Sequence, residues 1–270
     1  MSAVLPSPLK VGLARTKIEV KEFFRERDQL IFTFFFPIIF LGIFSAVFSG
    51  TADFSGGVNA ATYFTPGMIA SGIFLTSFQS LSITIAIERD QDVLKRLRGT
   101  PMSPQSYFMG KVGLVLVTSI LQFTLLLAIA GLLLGVDIPS EPQKWLNFLW
   151  IFLLGTAAGS VLGIAFSIVP RSGKAASAVV TPIVLLLQFI SGVYFVYSSL
   201  PAWMRTVSEF FPLKWLAQGM RSVFLPDGFK ANEPGGSWQL GTGAIVLSLW
   251  LIAGLIIAQR VFRWTRRDAG

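Results

Sequence analysis

Six long stretches of apolar residues run through the chain, with short polar segments between them. They cover about residues 30–49, 64–87, 111–134, 146–169, 176–197 and 240–259. Each stretch is nearly free of charge and long enough for a helix to cross a hydrocarbon core of roughly 30 Å. The pattern predicts an all-α membrane protein with six transmembrane helices, in a domain that runs from residue 30 to residue 259.

The segments between the stretches differ in their basic residues. Residues 1–29, 88–111, 170–175 and 260–270 contain 17 Lys and Arg, whereas the alternate segments contain 5. Because basic segments stay in the cytoplasm, we expect both termini there, at the plasma membrane of a bacterium. This topology also accounts for the net charge of +8, so we expect membrane lipid and no nucleic acid as a partner.

The N-terminal segment, residues 1–29, contains an amphipathic pattern. Leu9, Leu13, Val20 and Phe24 fall on one helical stripe, and charged residues fall opposite. We expect a helix that lies in the cytoplasmic interface with its apolar face toward lipid. The basic tail, residues 260–270, should follow the last span on the same side.

The segment 198–239 is too apolar and aromatic for a free loop. Pro201 and Pro212 divide its first part into two short helical pieces. Because backbone at membrane depth must be covered by protein, we expect two short re-entrant helices between the fifth and sixth spans.

The sequence excludes several classes of chemistry. The chain contains no Cys and no His, which removes disulfides, the common metal ligands and a Ser-His or Cys-His nucleophile pair. It has no P-loop, so it cannot hydrolyse ATP by itself, and we expect neither catalytic residues nor a metal site. No charge lies in the middle of a span, which disfavours an ion-coupled transporter.

Two predicted spans carry weakly polar stripes. The second has Ser71, Leu75, Phe78 and Ser82 on one face with Gln79 nearby, and the fifth has Thr181 and Gln188 on a stripe that Phe195 continues. One interpretation is hydrogen bonding between packed helices. The other is the wall of a route for amphipathic cargo, and the residues alone leave both open.

The fourth span repeats glycine every four residues, at Gly155, Gly159 and Gly163. This spacing lets another helix approach closely. We interpret it as a packing surface, with a pivot during movement as the alternative.

The stretch ERDQDVLKRLRGTP, residues 88–101, concentrates seven charged residues in fourteen positions. Acidic residues come first and basic residues last, which suits a helix dipole, and Gly99 should end the helix. Leu94 and Leu97 give it an apolar side. The pattern predicts a short cytoplasmic docking helix, and the alternative is a solvated loop that only sets topology.

Three segments resemble the ABC-2 family of transporter permeases, in particular the drug-exporter branch that includes the daunorubicin-resistance type. They are RERDQLIFTFFFPIIF at 25–40, the charged stretch with its continuation at 88–111, and FISGVYFVYSSLPAWMRTVSEFFPLKWLAQGMRSVF at 189–224. Together with six spans and internal termini, the resemblance covers nearly the whole chain.

The resemblance implies a permease that pairs with a second copy or a paralogue and docks two ATP-binding subunits, which hold ATP and Mg. It implies that the docking helix couples to the ATPase through Glu88, Arg89, Asp90, Leu94, Arg96, Leu97, Gly99, Thr100 and Pro101. The expected cargo is a hydrophobic or amphipathic small molecule or lipid. A lipid-linked glycan is the alternative within this fold, and a passive channel or membrane scaffold is the alternative outside it.

Overall fold

The computed structural model describes residues 7–48 and 58–261, and within them it is helical without a β-sheet. Its helices are α1 (Pro8–Phe23), α2 (Arg27–Phe48), α3 (Ala60–Phe74), α4 (Leu81–Asp90), α5 (Val93–Arg98), α6 (Pro104–Leu134), α7 (Pro142–Phe166), α8 (Gly173–Ile190), α9 (Ala202–Ser208), α10 (Pro212–Phe224) and α11 (Leu240–Val261). A π-helical segment, Leu75–Ser80, joins α3 to α4, so that residues 60–90 form one continuous helix.

Six helices in the described part are long and apolar enough to cross a membrane. They are α2, the α3–α4 helix, α6, α7, α8 and α11, which confirms the six predicted spans. The third span begins earlier than predicted, because Ser103 caps α6 through a 3.1 Å bond from the Ser106 amide and Pro104 occupies the first turn. The fifth ends earlier than predicted, at Ile190, because Gly192 takes a left-handed conformation with φ of +72°.

The core lies around the α3–α4 helix. In its most apolar 18 residues 72% are buried, whereas the corresponding share is 17% in α2 and in α11. The glycine repeat of α7 packs against the π segment. A Cβ atom at Gly159 would lie 2.1 Å from Ser77 Oγ, and one at Gly163 would lie 2.7 Å from the Ser77 carbonyl oxygen. The packing interpretation of this repeat therefore fits the structure.

Helix α1 packs along the first turns of α6 through small residues. A Cβ atom at Gly12 would lie 2.8 Å from Met109 Sδ, and one at Gly113 would lie 2.4 Å from Thr16 Oγ1. Leu9 and Leu13 remain 59% and 58% exposed on the neighbouring face of α1. Contact of this apolar side with lipid stays a prediction.

The segment after α8 forms the two short helices that the prolines predict. Helix α9 follows Pro201, and α10 begins at Pro212. All thirteen residues of α10 are buried, and Arg221 donates to both Glu233 oxygens at 2.5 and 3.1 Å. This pair fixes the following 3₁₀ turns to α10. The depth of α9 and α10 in a membrane stays a prediction, and most of the basic tail lies outside the described residues.

Candidate functional site

A groove of about 1150 Å³ runs between α2, the α3–α4 helix, α6 and α8. One end is lined by charged side chains of α1, the start of α2 and the end of α4. They are Arg15, Glu19, Glu22, Arg25, Glu26, Arg27, Asp28 and Glu88.

The inner part of the groove is lined by neutral polar groups set among apolar ones. Gln79, Gln122, Thr181 and Gln188 supply carboxamide and hydroxyl groups, and the aromatic and aliphatic side chains include those of Phe32, Phe36, Leu75, Ile83 and Leu185. Small-molecule sites typically combine an apolar wall with a few polar groups that fix orientation. The groove can therefore accommodate a molecule with both apolar and hydrogen-bonding parts.

The π segment decides which residues of the second span face this groove. The groove-lining residues Leu75, Gln79 and Ile83 recur every four residues across it. A π turn holds one more residue than an α turn, so the register differs from the α-helical one on which the predicted stripe was based. As a result, Gln79 faces the groove, and Phe78 and Ser82 do not.

Phe78 and Ser82 pack toward α7 instead. The Phe78 ring lies 5.0 Å from that of Phe74 and 5.5 Å from that of Phe166. The Ser82 hydroxyl donates to the Gly163 carbonyl at 3.1 Å. Neither side chain lines this groove, and both hold the second and fourth spans together. Their role in a translocation pathway stays a prediction.

A polar chain closes the inner end of the groove. Gln188 Nε2 donates to Ser71 Oγ at 2.9 Å, and the Tyr194 hydroxyl donates to Gln188 Oε1. The Tyr194 ring packs against those of Phe40 and Phe189, with centroids 5.5 and 5.2 Å away. Ser71 thus makes the interhelical hydrogen bond that was the alternative interpretation of its stripe, and Gln188 makes that bond while lining the groove.

The other predicted pathway residues divide in the same way. Gln79 Nε2 donates to Thr181 Oγ1 at 3.4 Å across the groove, so the structure brings these two together. Phe195 lies beyond the end of α8, is 46% exposed and does not line the groove; its ring lies 5.7 Å from that of Phe189 at an angle of 34°.

A buried ion cluster lies beside the charged end of the groove. Lys111 Nζ of α6 lies 2.9 Å from Glu19 Oε2 of α1 and 2.5 Å from Glu88 Oε1 of α4. Arg15 Nη2 lies 2.5 Å from Glu19 Oε1, and the Tyr107 hydroxyl donates to Glu88 Oε2 at 2.5 Å. Two cations balance two carboxylates, and these contacts tie three helices together.

The cluster also sets the protonation of Arg15. Burial alone acts to lower the pKa of the Arg15 guanidinium, but the carboxylates of Glu19 and Glu88 outweigh it, so the pKa is raised above its usual value. Arg15 therefore remains charged throughout the physiological range.

The sequence interpretation singled out Glu88 but missed Arg15, Glu19 and Lys111 as its partners. The available signal was the GKVG motif at 110–113. A Cβ atom at Gly110 would lie 2.4 Å from Arg15 Cγ, so glycines beside a lone lysine mark a face where a charged helix approaches.

The charged stretch 88–101 is attached to the rest of the chain at several points. Arg89 Nη2 donates to the Ser167 carbonyl at the end of α7 at 2.6 Å. Leu94 is fully buried in a small apolar cluster with Ile85 and Tyr107. Leu94 is thus an internal contact, and the expectation that it lies on a partner-binding face is wrong.

The exposed part of this stretch is basic. Lys95, Arg96 and Arg98 are exposed on α5, and Leu97 is half-buried. Gly99 has an ordinary φ of −75°, whereas Asp92, before α5, has φ of +57°. Gly99 therefore follows the end of α5 without a left-handed conformation, and the left-handed residue is at the start of the helix. Gly99, Thr100 and Pro101 follow as an exposed turn.

The described part of the chain contains no group of three or more His, Cys, Asp or Glu side chains that could hold a metal ion.

The family profile of the ABC-2 type transporter matches residues 13–225. The chain belongs to the ABC-2 type transporter family. A comparison with curated proteins finds no match.

Membership confirms the predicted family and makes this chain a multi-pass permease of an ABC transporter. A permease of this family is not itself catalytic and associates with an ABC ATP-binding subunit. The matched region includes α1 from residue 13 onward, the groove helices, the stretch 88–101 and α10, and it ends before α11.

Proposed function

We propose that this permease exports a hydrophobic or amphipathic small molecule or lipid from the cytoplasm or inner leaflet, as in the drug-exporter branch of its family. The observation that carries the proposal is the groove, whose charged mouth leads to an apolar wall with neutral hydrogen-bonding groups. Lipid or an amphipathic drug has the same division between a polar head and an apolar body.

The charged mouth lies beside the segments with the most basic residues, which supports a cytoplasmic entrance and a bacterial plasma membrane location with internal termini. Cargo enters at this mouth, and the polar chain of Ser71, Gln188 and Tyr194 closes the far end.

Coupling to ATP hydrolysis uses the exposed side of the stretch 88–101. Two ATP-binding subunits, with ATP and Mg, dock on a pair of permeases, either two copies or two paralogues. Lys95, Arg96 and Arg98 make charged contacts with them, while Glu88 and Leu94 fix the stretch to its own chain. Because Glu88 belongs to the ion cluster, a force on this stretch reaches α1 at the groove mouth.

The transport test uses the permease reconstituted with its co-purified ATP-binding subunit. Fluorescent amphipathic dyes and short-chain fluorescent phospholipids should stimulate ATP hydrolysis and accumulate on the far side of the membrane only with ATP. Dye movement that persists without ATP, or a permease that never co-purifies with an ATPase, would instead indicate a channel or scaffold.

The coupling test compares two charge reversals. The double change Arg96→Glu and Arg98→Glu should abolish substrate-stimulated ATP hydrolysis while the permease stays folded. Lys230→Glu, an exposed change in the turn after α10, should leave hydrolysis unchanged. Equal ATP hydrolysis by both variants would mean that α5 does not contact the ATP-binding subunit.

Orientation is tested with single cysteines, since the chain has none of its own. Cysteine at Asn232 should react with an impermeant reagent from outside, and cysteine at Gln91 should not. The other expected external position, Ser55, lies outside the described residues. The reverse pattern at both positions would contradict the topology.

A further inference from the structure

Helix α2 contains a proline that leaves one backbone acceptor without its usual partner. In an α-helix, the carbonyl of residue 33 accepts from the amide of residue 37. Residue 37 is Pro37, which has no N–H. The Thr33 carbonyl therefore needs another donor, because an unpaired backbone acceptor in apolar surroundings costs free energy.

That donor is a side chain from another helix. Gln122 Nε2, in the middle of α6, donates to the Thr33 carbonyl at 2.7 Å. Gln122 is buried, and a Cβ atom at Gly72 of α3 would lie 2.6 Å from its Cδ. Gly72 thus leaves the space that the carboxamide occupies between α2, α3 and α6.

The position of this bond relates it to the groove. Thr33 and Gln122 both line the groove, and Phe32 and Phe36 of the same part of α2 form one of its walls. Only 17% of the most apolar 18 residues of α2 are buried, and before Pro37 the helix packs on α1 through Phe34, whose ring lies 6.1 Å from that of Phe23. Because helices bend readily at proline, the hydrogen bond from Gln122 to the Thr33 carbonyl can influence where this wall lies.

We propose that Gln122 is a positioning residue that fixes the bend of α2 at Pro37 and thereby the width of the groove. The proposal that Gln122 positions α2 requires no assumption about cargo. Its effect on transport rests on the proposed function, because the groove matters to export only if cargo passes through it.

The first test measures the position of α2 in the full-length permease in lipid nanodiscs. Spin labels are placed at Asp28, on α2 before Pro37, and at Ser177, one turn before Thr181 on α8. A change of about 20° in the bend, over nine residues that each rise about 1.5 Å, moves Asp28 by about 5 Å. Gln122→Met keeps the side-chain length but removes the donor, so it should shift or broaden the distance distribution by about this amount.

Two controls isolate the bond. Thr118→Val, one turn before Gln122 on α6, removes a hydroxyl that donates to carbonyls of its own helix, and should leave the Asp28–Ser177 distance unchanged. Labels at Ile43, after Pro37, and at Leu186 should report no change for Gln122→Met, because the bend moves only the part of α2 that precedes the proline.

The second test uses Pro37→Ala, which restores the missing amide to α2. In this background the Thr33 carbonyl has a partner within its own helix, and Gln122→Met should cause no further shift. If Gln122→Met does not fold alone, the Pro37→Ala change should restore folding for the same reason.

An equal shift with Gln122→Met in both backgrounds, failure to fold in both, or no shift in either would overturn the proposal and leave Gln122 as a packing residue. The readout is a distance, so it stays informative if no dye is exported. In that case the positioning role would stand while the proposed function would fail.

Discussion

The Lys111 ammonium lies 2.9 Å from the Glu19 carboxylate, although 92 positions separate the two residues in the chain. Lys111 is fully buried, and it also contacts Glu88 at 2.5 Å. The four charges of this cluster compensate one another, so the loss of one member leaves a buried charge without its partner.

We expect Lys111→Met to destabilise the permease by about 3–5 kcal/mol, the usual cost of breaking a buried ion pair from one side. Adding Glu88→Gln should recover part of the loss, because Arg15 and Glu19 then remain as a balanced pair. Thermal unfolding in detergent measures both variants. Lys17→Met, an exposed change on α1, is the control, and an equal effect of both lysine changes would contradict the role of the cluster.

The spans could be predicted from the sequence because their determinants are local. Apolar runs, the cap at Ser103 and the prolines at 104 and 212 act within a few residues of the boundaries that they set. The ion cluster could not be predicted in the same way. Its pairs depend on which helices meet. The glycines beside Lys111 indicate that some helix approaches closely, but not that this helix is α1.

Gly159 of α7 provides a test of close packing with an internal contrast. A Cβ atom there would lie 2.1 Å from Ser77 Oγ, so we expect Gly159→Ala to destabilise the fold by about 1–3 kcal/mol through overpacking. At Gly42 of α2, a Cβ atom would have no heavy atom of another residue within 4 Å beyond its own helical backbone. Gly42→Ala should therefore be neutral or stabilising by up to about 1 kcal/mol.

Thermal unfolding of Gly159→Ala and Gly42→Ala measures this difference. A further variant combines Gly159→Ala with Ser77→Ala. Removing the Ser77 hydroxyl should recover part of the loss, although the Ser77 Cβ would still lie 2.9 Å away. A Gly159→Ala variant as stable as Gly42→Ala would mean that the contact between α7 and the π segment is loose.

The register in the second span predicts different outcomes for two candidate pathway residues. Thr181→Val removes one groove hydroxyl at constant size, and one hydrogen bond of about 0.5–1.5 kcal/mol corresponds to a change of roughly 2- to 10-fold in preference among exported dyes. Phe78→Ala should instead lower stability by about 3–5 kcal/mol without changing that preference. Dye competition and thermal unfolding, measured on the same samples, separate the two effects.

The π segment explains why this distinction escapes sequence reasoning. An α-helical wheel places Ser71, Phe78 and Ser82 on one face. In the structure they contact different partners: Ser71 contacts Gln188, Phe78 contacts Phe166, and Ser82 contacts the Gly163 carbonyl. A π turn has no distinctive composition, so the sequence of residues 75–80 does not reveal it.

Leu94 gives a further prediction, because it is buried within its own chain. Leu94→Asp should destabilise the isolated permease by at least about 2–5 kcal/mol, since even truncation of a buried leucine costs that much. Lys95→Asp, at the exposed neighbouring position, should leave stability unchanged. The yield of monodisperse permease without any ATPase measures this. A stable Leu94→Asp variant that fails only to bind the ATPase would instead show that Leu94 contacts the ATPase.

Lys214 of α10 is fully buried outside the six spans, and its ammonium has no hydrogen-bond partner among the described residues. It lies 3.3 Å from the centroid of the Trp215 ring and 5.4 Å from that of Tyr197. Burial lowers the pKa of Lys214 from 10.5 to about 8; Glu209 and Glu233 act against this shift and Arg221 acts with it.

The lowered pKa predicts how stability changes with pH. Between pH 8 and 10.5 the unfolded chain binds more protons at this residue than the folded chain does, so stability should rise with pH across this window. At pH 7 the buried charge costs free energy, on the order of 3 kcal/mol at 1.36 kcal/mol per pKa unit. Lys214→Met should therefore raise the unfolding temperature at pH 7, and this advantage should disappear by about pH 10.5. Lys230→Met, an exposed control, should show no such dependence, and an advantage of Lys214→Met that stays constant with pH would mean that Lys214 does not titrate in this window.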